Sequence, residues 1–91
     1  MKSEVQAIVS GSVQGVSFRS FVKETSESFK VCGTVKNLSS GDVEIVAQGE
    51  KEVIELFLTS ISTNYQAAEV RRVVKLWRTP TTLYKSFSII F

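Results

Sequence analysis

Residues 5–29 read VQAIVSGSVQGVSFRSFVKETSESF, and within them the spacing of apolar residues changes its period. Val5, Ala7 and Val9 alternate with Gln6 and Ser10, which predicts a strand over 5–10. Ile8 interrupts the polar side, which suits a central strand better than an edge. Gly11-Ser12-Val13-Gln14-Gly15 then breaks the alternation as a loop. Phe18, Phe21, Val22, Thr25 and Phe29 follow at helical spacing and form one apolar stripe. Ser17 stands where an N-cap hydroxyl would accept a free first-turn N–H. A strand, a glycine loop and an amphipathic helix in this order begin a split βαβ unit.

The rest of the chain completes the unit and repeats it. Residues 31–38 return to strand character, with Val31, Gly33 and Val35 on one side. Ser39-Ser40-Gly41-Asp42 is turn chemistry, and Val43, Ile45 and Ala47 alternate after it, so the two runs predict a hairpin. Gly49 ends that strand. Val53, Ile54, Phe57, Leu58 and Ile61 mark a second helix, whose acidic first turn complements its dipole. Residues 63–66 connect it to a fourth strand, in which Ala68, Val70, Val74 and Leu76 are expected on one face. Thr79-Pro80-Thr81-Thr82 interrupts, and Phe87, Ile89 and Phe91 suggest a short final strand. The predicted fold is α+β, a ferredoxin-like sandwich with order βαββαβ plus a C-terminal strand. Two helices cover one face of a mostly antiparallel sheet, and right-handed crossovers give the central order 4-1-3-2.

With 91 residues the chain is expected to form one domain over 1–91, burying roughly 60–65% of its unfolded surface. Hydrophobic residues at 43% and charged ones at 22% argue against general disorder. The absences are more informative. With no histidine, neither a Ser-His nor a Cys-His nucleophile pair exists. One cysteine, Cys32, excludes an intramolecular disulfide or a zinc knuckle and reads as a structural thiol. One aspartate, Asp42, among scattered glutamates argues against a divalent-metal cage, so no metal and no cofactor are expected.

The net charge of +2 is small, and its densest basic stretch, Arg71-Arg72 with Lys75 and Arg78, reads as the solvated face of a strand. Affinity by counterion release needs several coordinated phosphate contacts, so no nucleic-acid partner is expected; an RNA-binding sheet is a distant third reading. No segment approaches the roughly 20 apolar residues that span a bilayer, and Met1-Lys2-Ser3-Glu4 resembles no signal peptide. The expectation is a cytoplasmic monomer with no membrane partner. Trp77 reads as sheet packing.

Chemistry concentrates in Gly11-Ser12-Val13-Gln14-Gly15-Val16-Ser17-Phe18-Arg19. Glycines at both ends of the loop let its N–H groups turn toward one point, and the positive end of the helix dipole adds to the nest. Arg19 falls in the first helical turn, where its guanidinium forks onto a phosphate or carboxylate. The physics is that of an anion site. The loop is not a Walker loop, lacking the GKS/T ending, nor GxGxxG, since its glycines are four apart.

The string Gly11-x-Val13-Gln14-Gly15-Val16-x-Phe18-Arg19 closely resembles the signature of the acylphosphatase family. Gly33-Thr34-Val35-Lys36-Asn37 resembles its second motif. Gly41-Asp42-Val43-Glu44, Gln48-Gly49, Ala67-Ala68-Glu69-Val70 and Phe87-Ser88-Ile89 extend the likeness over essentially the whole chain. The resemblance implies a small hydrolase that cleaves acyl phosphates to carboxylate and inorganic phosphate, which are then its small-molecule partners. It implies that Arg19 binds the phosphate and Asn37 positions water, with Ser12, Val13, Gln14, Gly15, Val16, Ser17 and Phe18 forming the phosphate loop. Departures are mild. Ser17 stands where members often have glycine, Thr34 replaces a common aromatic, and Asn64-Tyr65-Gln66 replaces a Gly/Pro-rich connection. A Phe91 carboxylate would pair with Arg19 if the last strand ends near the loop. A second reading is a non-catalytic acylphosphatase-like module that keeps the anion site for recognition, of the kind found at the start of larger carbamoyl-transfer maturation proteins.

Overall fold

Seven elements follow one another along the chain, and a computed structural model describes residues 2–15 and 17–91 of it. They are β1 (Ser3–Ser12), α1 (Phe18–Phe29), β2 (Cys32–Asn37), β3 (Val43–Gly49), α2 (Lys51–Thr63), β4 (Glu69–Arg78) and β5 (Phe87–Ile90). The sheet order is β4-β1-β3-β2-β5, so the strand predicted to be central does lie between two neighbours. β1 runs antiparallel to both β3 and β4, and β2 antiparallel to β3. β5 joins the free edge of β2 in parallel, Val35 lying beside Ile89. This is the expected ferredoxin-like arrangement.

Alternation decides which side of the sheet is dry. Val5, Ala7 and Val9 of β1, Val35 of β2 and Val43, Ile45 and Ala47 of β3 are all fully buried beneath the helices. The helices contribute Phe18 and Val22 from α1 and Ile54, Phe57, Leu58 and Ile61 from α2, in one continuous cluster. Each such side chain contributes roughly 1.5–3 kcal/mol by leaving water. Phe29 and Phe87 meet Phe57 edge-on, with centroids 6.3 and 6.0 Å apart. In α1 the inner stripe runs through Phe18, Val22 and Ser26, with Thr25 only half-buried.

The fourth strand departs from its expected phase. Val74 and Leu76 are 45% and 58% exposed on the helix-free face, while Val73 and Trp77 pack against the core. The cause is a β-bulge: Ser10 pairs with Arg72 but Gly11 with Val70, leaving Arg71 as an extra residue. One inserted residue exchanges the two faces of everything after it. Trp77 is a packing residue, and Lys51 Nζ sits 5.0 Å above its ring. The basic stretch is solvated and mostly paired. Arg71 bonds Glu69, Lys75 reaches Glu55 on α2 at 2.8 Å, and Arg78 bonds Glu4.

At the end of the sheet where β2 begins, Gln48 is fully buried. Its amide donates to Glu4 Oε1 and the Thr82 carbonyl and accepts from the Tyr84 N–H. No described helix is long and apolar enough to cross a membrane.

Candidate active site

The other end of the sheet is where β1 stops, β2 stops and β5 stops, and where α1 begins. β1 extends to Ser12, two residues further than the alternation predicted, because the bulge carries pairing past Gly11. Gly11 has φ +131, and a Cβ there would lie 2.0 Å from the Glu69 carbonyl oxygen. Only glycine lets β4 approach so closely.

Val13 and Phe18, each 1% exposed, then pin both ends of the loop into the core. Between them Gly15 (φ 76) and Ser17 (φ 61) take left-handed backbone. A serine in that region carries roughly 1–3 kcal/mol of strain, which accounts for the glycine common there in the resembling family. It also overturns the expected hydroxyl cap, since Ser17 occupies the N-cap position without a side-chain hydrogen bond. Its carbonyl accepts the Phe21 N–H at 3.2 Å as the first helical bond. Among the described residues the N–H groups of Phe18, Arg19 and Ser20 precede any intrahelical acceptor, the arrangement in which a helix start can take an anion.

Arg19 is half-buried. Its Nη1 donates to the Ile90 carbonyl at 3.3 Å, and its Cζ lies 4.8 Å from the centroid of the Phe91 ring. The guanidinium thus meets the end of the chain through a carbonyl and a ring, rather than through the carboxylate pairing considered above. One of its five N–H donors is engaged there, which leaves the rest for a ligand. Asn37 closes β2 on the same face as Val35, one step beyond the core. Its side chain is exposed, and among the described residues its amide has no hydrogen-bond partner.

These parts meet on one cleft of about 300 Å³, at the small end of ligand cavities. Of the residues predicted from sequence, Val13, Gly15, Ser17, Phe18, Arg19 and Asn37 line it. Ser12 does not, being exposed at the end of β1 opposite Glu69. Gln14 does not either: its amide turns away and donates to the Leu38 and Asp42 carbonyls, both at 2.8 Å. Val16 lies outside the described residues.

Ser20 and Ile89 also line the cleft and were missed, and Phe91, expected near Arg19 through its carboxylate, lines it too. The position of Ser20 in the first turn was a usable signal. That of Ile89 depends on the parallel pairing of β5, which alternation alone does not reveal. Among the described residues that line the cleft, Arg19 has the one charged side chain, which favours an anionic ligand. Among the described residues no three His, Cys, Asp or Glu side chains gather to hold a metal ion.

Comparison with known proteins identifies the family and the fold. The profile of the acylphosphatase family matches residues 5–89. An acylphosphatase of Dehalococcoides mccartyi (strain CBDB1) is 41% identical over 86 residues, 93% of this chain and 94% of that one. The crystal structure of acylphosphatase from Bacillus subtilis superposes with a TM-score of 0.92 at 30% identity, covering 98% of this chain and 99% of that one. Full-length HypF, in its phosphate- and nucleotide-bound form, matches all of this chain with 12% of its own length, at TM-score 0.90 and 30% identity.

Proposed function

The chain belongs to the acylphosphatase family of hydrolases, and from that premise we propose how its own residues hydrolyse an acyl phosphate. The phosphoryl group sits in the cleft with its oxygens on Arg19 and on the backbone N–H groups of the loop and first helical turn. Asn37, through its side-chain carbonyl, holds a water in line with the phosphorus. Attack by that water forms the new P–O bond as the bond to the acyl oxygen breaks. The electron pair leaves with the carboxylate, and the water proton passes to a phosphoryl oxygen.

The chemistry suits a site without histidine. The departing group is a carboxylate whose conjugate acid has a pKa of about 4, so it leaves without protonation near neutral pH. What remains for the protein is positioning and charge stabilisation, which supply most of the catalysis in phosphoryl transfer. The observation that carries the reading is that Arg19 and Asn37, 18 positions apart in sequence, line one cleft in which, among the described residues, no Asp or Glu side chain takes part.

The test is hydrolysis of acetyl phosphate with EDTA present and inorganic phosphate as competitor. Turnover that survives EDTA and is inhibited competitively by phosphate is the expected result. Activity abolished by EDTA would overturn the mechanism. Phosphate binding without turnover would favour the binding-module reading instead, for which the likeness to a small part of full-length HypF is the supporting observation.

A further inference from the structure

We infer that Gln14 is a positioning residue that fixes the distance between the bound phosphoryl group and the attacking water; the inference rests on the roles proposed above for Arg19 and Asn37. The phosphoryl group and the water are held by different parts of the chain. Arg19 and the N–H groups of the first helical turn hold the first, and Asn37, at the mouth of the β2–β3 hairpin, holds the second. An in-line attack requires the reacting atoms at roughly 3–3.5 Å, and an error near 1 Å can lower the rate about a hundredfold.

Gln14 joins the two parts directly. Its Nε2 donates one hydrogen to the Leu38 carbonyl and one to the Asp42 carbonyl, both at 2.8 Å. Those carbonyls also close the hairpin turn: Leu38 O accepts the Gly41 N–H, and Asp42 O accepts the Leu38 N–H at 2.8 Å. The amide is therefore seated across the mouth of the turn, against the residue that follows Asn37. Its chain neighbour on the other side, Gly15, lines the cleft.

Among the described residues these are the only side-chain hydrogen bonds between the loop and the hairpin. With both hydrogens committed, the amide has none to give a phosphate oxygen. Gln14 thus acts through the relative placement of the loop and Asn37, not on the ligand.

The decisive experiment is a double-mutant cycle on acetyl phosphate hydrolysis with Gln14→Met, Asn37→Ala and the pair. The inhibition constant of inorganic phosphate and a thermal melt are measured for each protein. Gln14→Met should lower kcat about 10–100-fold. The phosphate constant should stay within about threefold, because every anion donor remains. In the Gln14→Met background Asn37→Ala should cost far less than it does alone, since the first change has already misplaced the water.

If Gln14→Met fails to fold, Gln14→Asn serves instead, since its shorter amide can reach only one of the two carbonyls. A smaller kcat loss with the same non-additivity is then expected. A weakened phosphate constant with kcat preserved would make Gln14 a ligand and overturn the inference. So would losses that multiply independently. Full activity in Asn37→Ala itself would refute the proposed mechanism rather than this step.

Discussion

On the proposed mechanism, replacing Asn37 with alanine should separate catalysis from both binding and stability. The side chain is exposed at the last position of β2 and has no hydrogen-bond partner among the described residues, so truncation breaks no contact that holds the fold. Stability should change by no more than about 0.5 kcal/mol, a shift in Tm of roughly 2–4 °C at most. The proposed anion donors, Arg19 and the loop N–H groups, lie on other elements and are untouched. The inhibition constant of inorganic phosphate should then stay within about threefold.

Turnover should behave differently. Full positioning of a nucleophile is worth at most ~7–11 kcal/mol, and removal of one preorganised polar partner typically costs ~2.7–4 kcal/mol. The expected fall in kcat is therefore about 10²–10³-fold, with a residue of activity from the cleft that still binds and polarises the substrate. Saturation kinetics on acetyl phosphate, phosphate inhibition and a thermal melt of the same preparation supply the three numbers. A kcat within about tenfold of the parent, or a phosphate constant that worsens in step with kcat, would refute the assignment of Asn37 to the water.

Three further substitutions probe other parts of the argument. Arg19→Lys keeps the charge but loses the fork, the Ile90 contact and the stacking on Phe91. Its kcat/KM should drop by about 1.5–3 kcal/mol, or roughly 10–150-fold, with phosphate affinity falling alongside; phosphate affinity equal to the parent's would contradict the role given to the guanidinium. Ser17→Gly should relieve the left-handed backbone strain at the cost of a more flexible unfolded chain, raising stability by up to ~1 kcal/mol. A lower Tm would count against that account. Gln48→Leu leaves the buried Glu4 carboxylate, the Thr82 carbonyl and the Tyr84 N–H each short of a partner. It should destabilise by ~2–4 kcal/mol, while kcat, measured well below the lowered Tm, stays at the parent's value because Gln48 sits at the opposite end of the sheet.

Much of this was legible in the residues themselves. The alternation in Val5, Ala7 and Val9, the helical stripe from Phe18 and the Gly41-Asp42 turn gave element order, strand order and the buried face correctly. The loop from Gly11 to Arg19 has the glycines and the first-turn arginine of an anion site, and the proposed mechanism rests on that reading. The misses share a cause: each depends on a partner that sequence does not specify. Val74 and Leu76 satisfy a period of two, but a bulge at Arg71, defined by pairing with β1, turns them to solvent. Ser17 has the right chemistry for a cap, yet its φ is set by the loop that must expose the helix N-terminus. Gln14 lies inside the motif that resembles a phosphate signature, and only the position of the hairpin, 24 residues on, shows what its amide grips.

The attachment of β5 has a consequence for how activity is lost. Ile90, whose carbonyl meets Arg19, is 71 positions from it in sequence, and it arrives on a four-residue strand with a neighbour on one side only. Contacts of such separation bear a large loop-closure entropy and tend to form late in folding. Short edge segments are also among the first to open from the native state. Peeling of β5 would release the guanidinium while β1, β3 and most of the core stay ordered. Inactivation on warming should therefore run ahead of global melting, and amide exchange at Phe87–Ile90, rather than the unfolding free energy of the whole chain, should track the fraction of molecules able to turn over.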